Sequence, residues 1–334
     1  MTSLAQNESL RAPSPLAIKA GQAALVSSAA YPDPDYHILR TSISNAYGVD
    51  PDLILCGAGS MELITCITHA FAGPKARVLT SEYGYALFKN SAMKVAAPCD
   101  LAREVSQAVS TSALLQAVTS ETRLCFLANP GNPTGTALSN NEIREFRTRL
   151  PEHVLLIVDE AYGEFAQAHE QPLFDLVDHG NTVILRTFSK AYGLAAGRIG
   201  WGLFPPATRE QVQKLIIPSS ICTVSAAMAE AAVQDQIYMQ ETCKMTAQVR
   251  DEFIREVRSF NLTCDDSHTN FVLIRFSNNE MSNAADAALR QQGLVTRGMG
   301  GYGLGHCLRV TVAAREVMTT AAEVLEKWSR EYLR

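Results

Sequence analysis

The sequence lacks long hydrophobic runs and an excess of basic residues, and each absence excludes a class of protein. No stretch of roughly eighteen apolar residues occurs, and the first residues do not pair a charged region with an apolar core, so neither a membrane span nor a signal peptide is predicted. The formal net charge of −5 gives no basic field for nucleic acid or anionic lipid. We therefore expect a cytoplasmic protein with small-molecule partners.

Paired cysteines are also missing. The eight cysteines lie singly, and none belongs to a C-x-x-C pair, the spacing typical of structural zinc sites. We expect reduced thiols that pack as small hydrophobic side chains, with no metal bound.

Two nucleotide-binding motifs are incomplete or absent. A G-x-G-x-x-G pattern counted from Gly57 needs glycine at 62, where Glu62 stands, and no G-K-[ST] of a Walker A loop occurs. What remains is a glycine-containing turn that opens a helix at about Ser60, and the free N–H groups of such a helix start suit a phosphate. A plain tight turn is the alternative interpretation.

Short apolar runs alternate with helical patterns along the first two thirds of the chain. This alternation predicts βα units with a mostly parallel sheet between helices, and the capping-box pattern Ser139-x-x-Glu142 predicts a helix over 139–150. The predicted strands are 53–56, 76–80, 123–128, 154–158, 182–186 and 198–204. After about residue 233 the pattern becomes charged and helical, with strands at 271–276 and 308–312, which indicates a separate α+β layer.

The length of 334 residues and this change of pattern favour two domains. We predict an α/β fold with a large domain over 31–235. A smaller α+β domain would combine the N-terminal tail, 1–30, with the C-terminal part, 236–334.

Polar residues follow several predicted strands, and the carboxyl ends of parallel strands are where ligands bind in such sheets. Asp159 follows a strongly apolar run, so burial would raise the pKa of its carboxyl unless a cation or donor stabilises the charge. Lys190 follows another strand, and a desolvated lysine becomes nucleophilic near neutral pH. Taken singly, a capping or ion-paired acid and a solvated surface lysine are the more common interpretations.

Together these residues describe a pocket for one ligand. A phosphate-binding helix start, a carboxylate at a strand end, Lys190 between Thr187 and Ser189, and Arg198 suit a phosphorylated, aldehyde-bearing, basic heterocycle. Pyridoxal 5′-phosphate has these features, since a lysine forms a Schiff base with its aldehyde and an aspartate keeps its ring nitrogen protonated. Hydroxyls and an arginine would bind its phosphate.

Three motifs resemble those of the fold-type I, class I and II aminotransferases: NPGNPTG at 129–135, DEAY at 159–162, and TFSK at 187–190 followed by Arg198. The resemblance is strongest to the histidinol-phosphate aminotransferases. It extends from LAQNESLRAPSP near the N-terminus to GYGLGHCLRVTVA near the C-terminus. It therefore implies a fold-type I transferase fold and a pyridoxal phosphate-dependent transaminase of amino-acid biosynthesis.

The resemblance also implies roles around the cofactor. Lys190 would form the Schiff base and Asp159 would hold the pyridinium nitrogen. Tyr162 and Asn132 would hydrogen-bond the phenolic oxygen, while Tyr83 would stack on the ring. The phosphate would be held by Gly59, Ser60, Thr187, Ser189 and Arg198.

Three further residues concern the substrate and a second subunit. Arg309 matches the arginine that binds the anionic end of the substrate, and Arg297 matches a second arginine of enzymes that accept a phosphate ester. Tyr31 matches a tyrosine that reaches the cofactor phosphate of the neighbouring subunit, which implies a homodimer. The chain departs from the family at Met61, where the phosphate loop usually has an acid, and at its short N-terminal tail, where Asn7-Glu8-Ser9-Leu10 replaces N-E-N-P.

The expected reaction moves an amino group from histidinol phosphate or an aromatic amino acid to 2-oxoglutarate. A pyridoxal phosphate-dependent decarboxylase of the threonine-phosphate decarboxylase type is the alternative, because its cofactor motifs look similar. A ligand-sensing domain of a transcription regulator is disfavoured, since no helix-turn-helix region is appended and the net charge is negative.

Overall fold

The computed structural model describes residues 1–166 and 172–332. No helix among these residues is long and apolar enough to cross a membrane. The helices are α1 (Pro15–Ala24), α2 (His37–Tyr47), α3 (Ser60–Phe71), α4 (Ala86–Lys94), α5 (Thr111–Ala117), α6 (Asn140–Arg149), α7 (Gly163–Ala166), α8 (Pro206–Gln213), α9 (Thr223–Gln234), α10 (Gln236–Ser259), α11 (Asn279–Gln291) and α12 (Arg315–Tyr332). The strands are β1 (Thr2–Ser3), β2 (Ile54–Gly57), β3 (Arg77–Ser81), β4 (Cys99–Ala102), β5 (Thr122–Ala128), β6 (Leu155–Asp159), β7 (Thr182–Thr187), β8 (Gly200–Leu203), β9 (Thr263–Cys264), β10 (Phe271–Arg275), β11 (Leu294–Val295), β12 (Arg297–Met299) and β13 (Leu304–Thr311).

A seven-stranded sheet with the order β2-β8-β7-β6-β5-β3-β4 forms the centre of the larger unit in the described chain. Strands β7, β6, β5, β3 and β4 pair in parallel, as the alternating pattern predicts. Strand β8 runs antiparallel to both of its neighbours, so the segment at 198–204 is a strand but not a parallel one. Strand β4 was not predicted, because its side chains are only partly buried at the sheet edge and give no apolar run.

Helices cover both faces of this sheet, which explains why its central strands are apolar on both faces. Along β6, Leu156 and Val158 belong to one hydrophobic core, whereas Leu155 and Ile157 belong to another on the opposite face. Helices α2, α6 and α9 contribute to the first core, and α3, α4 and α8 contribute to the second. Helix α6 begins after Ser139, whose capping box with Glu142 is formed as predicted.

The C-terminal part forms the predicted α+β layer. Its antiparallel sheet has the order β12-β13-β10-β9, and helices α10, α11 and α12 pack around a core of their own. Strand β1, at the N-terminus, pairs in parallel with β11. The N-terminal residues are therefore attached to this smaller unit.

The N-terminal 30 residues divide between the two units, in contrast to the prediction that all of them belong to the small domain. Leu4 lies in the core of the smaller unit. Ala17 of α1 lies in the core of the larger unit, where α1 packs against α9. The chain therefore crosses from one unit to the other between Leu4 and Ala17, and it passes the candidate site on the way.

Candidate active site

The carboxyl ends of three parallel strands bring the predicted residues to one edge of the sheet. Strand β6 ends at Asp159, which lies beside Ala128 at the end of β5 and beside Leu185 near the end of β7. The segments that follow β5 and β7 carry Asn132 and Lys190. Because parallel strands align their carboxyl ends, residues far apart in the sequence converge here.

Asp159 is a buried carboxylate without a cationic partner. It is 4% exposed and accepts a hydrogen bond from the N–H of Ala161 at 3.1 Å. Burial raises the pKa of its carboxyl to about 7, and the nearby Glu160 charge adds to the shift. Within residues 1–166 and 172–332, no lysine or arginine forms an ion pair with Asp159. A protonated ring nitrogen would supply the missing positive charge.

Lys190 lies under the N-terminal segment. Its Nζ donates to the carbonyl oxygens of Gln6 at 3.2 Å and Asn7 at 2.9 Å. Burial, reinforced by the charges of Arg309 and Arg198, lowers the pKa of the Lys190 ammonium to about 8. About a tenth of the amine is therefore neutral and nucleophilic at pH 7, far more than for a lysine in water.

The main chain at the start of α3 lies against the guanidinium group of Arg198. Gly59 has φ +82°, and a Cβ added there would lie 2.6 Å from Nη2 of Arg198. The Arg198 guanidinium donates to Oγ of Ser189 at 3.3 Å and to the carbonyl of Ala195 at 2.9 Å. Its other nitrogen lies 3.8 Å from Sδ of Met61. No carboxylate of the described residues pairs with Arg198, so its charge is available for an anion.

The neighbouring strand approaches the start of α3 closely. A Cβ added to Gly200, the first residue of β8, would lie 2.1 Å from the main-chain nitrogen of Ser60. Thr187, which pairs with Gly200, accepts a hydrogen bond from the N–H of Ser189 at 3.1 Å. These contacts make neighbours of the five residues predicted to bind phosphate, between the start of α3 and the end of β7.

Arg309 enters the site from β13 of the smaller unit. It is 7% exposed, and it donates to Oδ1 of Asn132 at 2.6 Å and to the carbonyl of Ala5 at 2.8 Å. Its buried Nε has no hydrogen-bond partner among the residues that the structure describes. Burial lowers the pKa of Arg309, and the Tyr162 phenol lies close enough to oppose that shift. An incoming anion would satisfy both the charge and the unpartnered N–H.

The structure brings Tyr85 towards Asp159 and Arg309. Burial raises the pKa of Tyr85 to about 12, and Asp159 and Arg309 lie close enough for their charges to act on its phenol. Tyr83 instead packs in a small cluster with side chains of the smaller unit, including Leu273 and Leu304. Leu273 lies directly opposite Arg309 on the small sheet, so Tyr83 packs beside the face from which Arg309 enters the site, and its stacking on the cofactor ring stays a prediction.

Two predicted residues lie away from the buried centre. Tyr31 is 95% exposed and makes no hydrogen bond within the described part of the chain. Arg297 is exposed on β12, where it lies directly opposite Arg309 of β13. Directly opposed residues share one face of a sheet, so Arg297 lies at the mouth of the site that Arg309 enters.

Asn7 is a site residue that the sequence analysis noted only as part of the altered N-terminal motif. Its side-chain nitrogen donates to Oη of Tyr162 at 2.8 Å, and its carbonyl accepts from Lys190. Asn7 is separated from Lys190 by 183 positions, so no local spacing could place it here. Its only signal was a short polar residue in a segment where the resemblance was weak.

These residues fit pyridoxal phosphate, the cofactor that the resemblance implies. Gly59 lets the Arg198 guanidinium approach the main chain at the start of α3, Asp159 has no cationic partner among the described residues, and the lowered pKa of Lys190 makes its amine a nucleophile. The three features correspond to the phosphate, the ring nitrogen and the aldehyde of that molecule.

Comparisons with known proteins agree with this geometry. The family model for aminotransferase class I and II matches residues 1–325. A histidinol-phosphate aminotransferase of Jannaschia sp. (strain CCS1) is 38% identical over 313 residues, which cover 94% of this chain and 87% of the relative. One from Cereibacter sphaeroides (strain KD131 / KCTC 12085) is 35% identical over 327 residues, which cover 98% of this chain and 91% of the relative.

A solved structure shares the whole architecture. The crystal structure of histidinol-phosphate aminotransferase from Sinorhizobium meliloti in complex with pyridoxal 5′-phosphate has a TM-score of 0.93 and 30% identity, covering 99% of this chain and 91% of that chain. The fold is therefore that of the fold-type I pyridoxal phosphate-dependent transferases. The chain belongs to the class I and II aminotransferases and is a transaminase that depends on pyridoxal phosphate.

Proposed function

We propose that the chain transfers the amino group of histidinol phosphate to 2-oxoglutarate. This proposal rests on the positions of two arginines. The buried Arg309 and the exposed Arg297 lie directly opposite each other on neighbouring strands and on the same face of the small sheet. Two guanidinium groups suit a dianionic phosphate ester better than a single carboxylate. The names of the relatives from Jannaschia and Cereibacter support the same donor.

The bound cofactor would supply an electron sink for the carbanion at the substrate Cα. Asp159 would keep the ring nitrogen protonated, because a carboxylate in a site of low dielectric gains most from an adjacent positive charge. Tyr162 would donate a hydrogen bond to the phenolic oxygen. Lys190, whose pKa is lowered to about 8, would take the proton from Cα as the general base.

Arg309 would orient both substrates. Its Nη1 is held by Asn132 and its Nη2 by the carbonyl of Ala5, so the guanidinium plane is fixed before a substrate arrives. A prepositioned guanidinium binds carboxylate and phosphate through two parallel hydrogen bonds and loses little conformational entropy. The same group can therefore accept the phosphate of the donor in one half-reaction and a carboxylate of the acceptor in the other.

We also propose that two copies of the chain share their active sites, with Tyr31 reaching the cofactor phosphate of the second copy. Tyr31 is 95% exposed and Val26, a few residues earlier, is 89% exposed. Leu25 and Ile38 are exposed on the same N-terminal part of the chain. A cluster of large exposed hydrophobic side chains suits a surface covered by another protein.

A panel of amino donors tests the substrate proposal. The purified holoenzyme would be assayed with 2-oxoglutarate and histidinol phosphate, phenylalanine, tyrosine or alanine, with glutamate formation and CO₂ release measured together. We expect histidinol phosphate to give the highest kcat/KM and no CO₂. A higher kcat/KM for phenylalanine or tyrosine would contradict the phosphate-ester donor, and stoichiometric CO₂ would contradict amino transfer.

A further inference from the structure

Asn7 connects the N-terminal segment to two residues that we assign to the cofactor. It is 1% exposed, and its backbone lies in the left-handed region at φ +55°, which asparagine tolerates better than most residues. Its Nδ2 donates to Oη of Tyr162 at 2.8 Å, and its carbonyl oxygen accepts from Nζ of Lys190 at 2.9 Å. One buried residue thus contacts both groups at once.

Thr311 determines which way the Asn7 amide points. The main-chain N–H of Asn7 donates to Oγ1 of Thr311 at 3.0 Å, so that hydroxyl can give its own hydrogen to Oδ1 of Asn7, 3.3 Å away. The amide oxygen then faces Thr311, and the amide nitrogen faces Tyr162. The Tyr162 oxygen therefore accepts from Asn7, and its own hydrogen is directed to a different acceptor.

The segment around Asn7 is held firmly enough to impose this direction. Nδ2 of Asn270 donates to the carbonyls of both Asn7 and Glu8 at 3.0 Å. Arg309 donates to the carbonyl of Ala5, two residues earlier. Each of these donors is buried, so the main chain at Asn7 is fixed, and the side chain can leave Tyr162 only by breaking its hydrogen bonds to Tyr162 and Thr311.

The Tyr162 phenol stays protonated in this environment and is therefore a permanent donor. Burial raises the pKa of the phenol above its ordinary value, while the Arg309 charge and the Asn7 hydrogen bond only partly oppose the shift. Its ring packs edge-on against Phe271, with centroids 5.3 Å apart, which fixes where the hydroxyl lies.

We propose that Asn7 is a positioning residue that directs the Tyr162 hydroxyl hydrogen towards the phenolic oxygen of bound pyridoxal phosphate. The inference rests on the proposed assignment of Lys190 and Tyr162 to the cofactor, but not on the identity of the amino donor. A hydrogen bond donated to the phenolic oxygen stabilises the negative charge on that oxygen. The oxygen then interacts less strongly with the proton on the Lys190 nitrogen that is bound to the cofactor, and that proton is released more easily. Asn7 thereby lowers the pH at which the lysine-bound cofactor releases that proton.

A spectroscopic pH titration of the holoenzyme without substrate tests this role. In Asn7→Asp the new carboxylate accepts the Tyr162 hydrogen and draws it away from the cofactor. We expect the pH midpoint of the visible absorbance change to rise by about one unit, which is what one hydrogen bond of ordinary strength is worth. Asn7→Gly keeps the left-handed backbone without the amide, and it should shift the midpoint in the same direction.

A matched control uses Asn261, which is also left-handed at φ +62° but exposed. Asn261→Gly should leave the midpoint unchanged. A double variant separates the effect of Asn7→Asp on the Tyr162 hydroxyl from the effect of its added negative charge. If Asn7 acts through that hydroxyl, Asn7→Asp combined with Tyr162→Phe should have the same midpoint as Tyr162→Phe alone. An equal shift with and without that hydroxyl, or an unchanged midpoint in Asn7→Asp, overturns the proposal.

Thr311→Val disturbs the orientation of the Asn7 amide without changing Asn7 itself, and it can be used if the Asn7 variants do not fold. This nearly isosteric change removes the hydrogen donated to Oδ1 of Asn7 and frees the amide to reverse. We expect a smaller rise of the same midpoint, and no rise overturns the inference. If the wild-type holoenzyme has no pH-dependent visible band, the cofactor assignment of Lys190 and Tyr162 is wrong as well. The assay of amino donors tests the substrate alone, so its outcome does not affect the interpretation of these titrations.

Discussion

Arg297 and Arg309 lie directly opposite each other on neighbouring antiparallel strands, although one is exposed and the other is 7% exposed. Two like charges at such a position destabilise each other unless an anion lies between or beside them. The charge of Arg297 is one of the causes that lower the pKa of the buried Arg309 guanidinium. The two charges therefore repel each other, and the anionic substrate proposed for this site would relieve that repulsion.

The first prediction concerns the unequal burial of this pair. Arg309→Gln should raise KM by about one to two powers of ten for both the phosphate-ester donor and 2-oxoglutarate, because it removes a buried charged hydrogen bond worth roughly 1.5 to 3 kcal/mol. Arg297→Gln should raise only the KM of the phosphate ester, by about fivefold or less, since solvent screens an exposed charge. Steady-state kinetics with each substrate varied in turn measures both.

Arg255→Gln provides the matched control, because Arg255 is exposed on α10 and belongs to the smaller unit. It should leave both KM values unchanged. The two-arginine site is wrong if Arg297→Gln changes the KM for 2-oxoglutarate as much as that for the phosphate ester, or if Arg309→Gln changes neither.

The second prediction uses the buried charge of Asp159. Burial raises the pKa of this carboxyl from an ordinary 3.8 to about 7 in the folded protein. A raised folded-state pKa contributes stability that is fully present below the unfolded pKa and is lost as the pH rises through the folded one. The free energy of unfolding of the cofactor-free protein should therefore fall between about pH 4 and pH 7 on account of Asp159.

Asp159→Asn should abolish that part of the pH dependence. At pH 8 the cofactor-free variant should be more stable than the parent by up to about 4 kcal/mol, which corresponds to roughly three pKa units, and at pH 4 the two should be similar. Chemical denaturation at both pH values measures this, and Asp178→Asn, at an exposed aspartate, is the control. If the cofactor-free parent and the Asp159→Asn variant are equally stable at pH 8, the carboxylate of Asp159 is exposed to solvent when the cofactor is absent.

The cofactor side of the site was predictable because its residues follow apolar strands within a few positions. Asp159 ends β6, and Lys190 lies three residues beyond the end of β7. A carboxylate or an amine directly after a buried strand is visible in the sequence, and the sheet geometry brings such positions together. The antiparallel direction of β8 was not predictable from the same pattern, because an apolar run is equally consistent with either direction.

The parts that sequence reasoning missed depend on long-range packing or on a single turn. Asn7 reaches Tyr162 across 155 positions, and only the folded N-terminal segment places it there. The approach of Tyr85 to Asp159 and Arg309 depends on the turn after β3, whose path a motif does not specify. Likewise, the apolar face of α1 does not indicate which of two cores it joins.

The third prediction tests the close approach of β8 to the start of α3. Gly200→Ala places a methyl group within 2.1 Å of the main-chain nitrogen of Ser60 and within 2.5 Å of the carbonyl carbon of Gly59. Main-chain atoms cannot avoid the new methyl group by rotating as a side chain could. The start of α3 must therefore shift, and its N–H groups move relative to Arg198. We expect the cofactor dissociation constant to rise about ten- to a hundredfold, which matches an overpacking cost of roughly 1 to 3 kcal/mol.

Gly73→Ala is the control for this change, since a Cβ at Gly73 meets no atom within 4 Å and its φ is not positive. Cofactor affinity should be the same as in the parent. Fluorescence titration of the cofactor-free variants with pyridoxal phosphate measures both constants. If Gly200→Ala binds the cofactor as tightly as Gly73→Ala does, the phosphate does not lie at Gly59 and Ser60.

The fourth prediction concerns the sharing of active sites between two copies. Lys190→Ala should lose the visible band of the lysine-bound cofactor and all turnover, because no other amine replaces the nucleophile. Tyr31→Ala should keep the band but bind the cofactor phosphate more weakly, since the exposed tyrosine would act on the second copy. Each homodimer would then be defective at both of its sites, for different reasons.

Mixing the two variants tests whether Tyr31 acts in trans. A heterodimer of Lys190→Ala and Tyr31→Ala chains would contain one intact site, built from the Lys190 of one chain and the Tyr31 of the other. After subunit exchange at equal amounts and limiting cofactor, activity should approach about a quarter of that of the parent, because half of the dimers have one of two sites intact. Activity equal to the mean of the separate variants would show that each chain completes its own site.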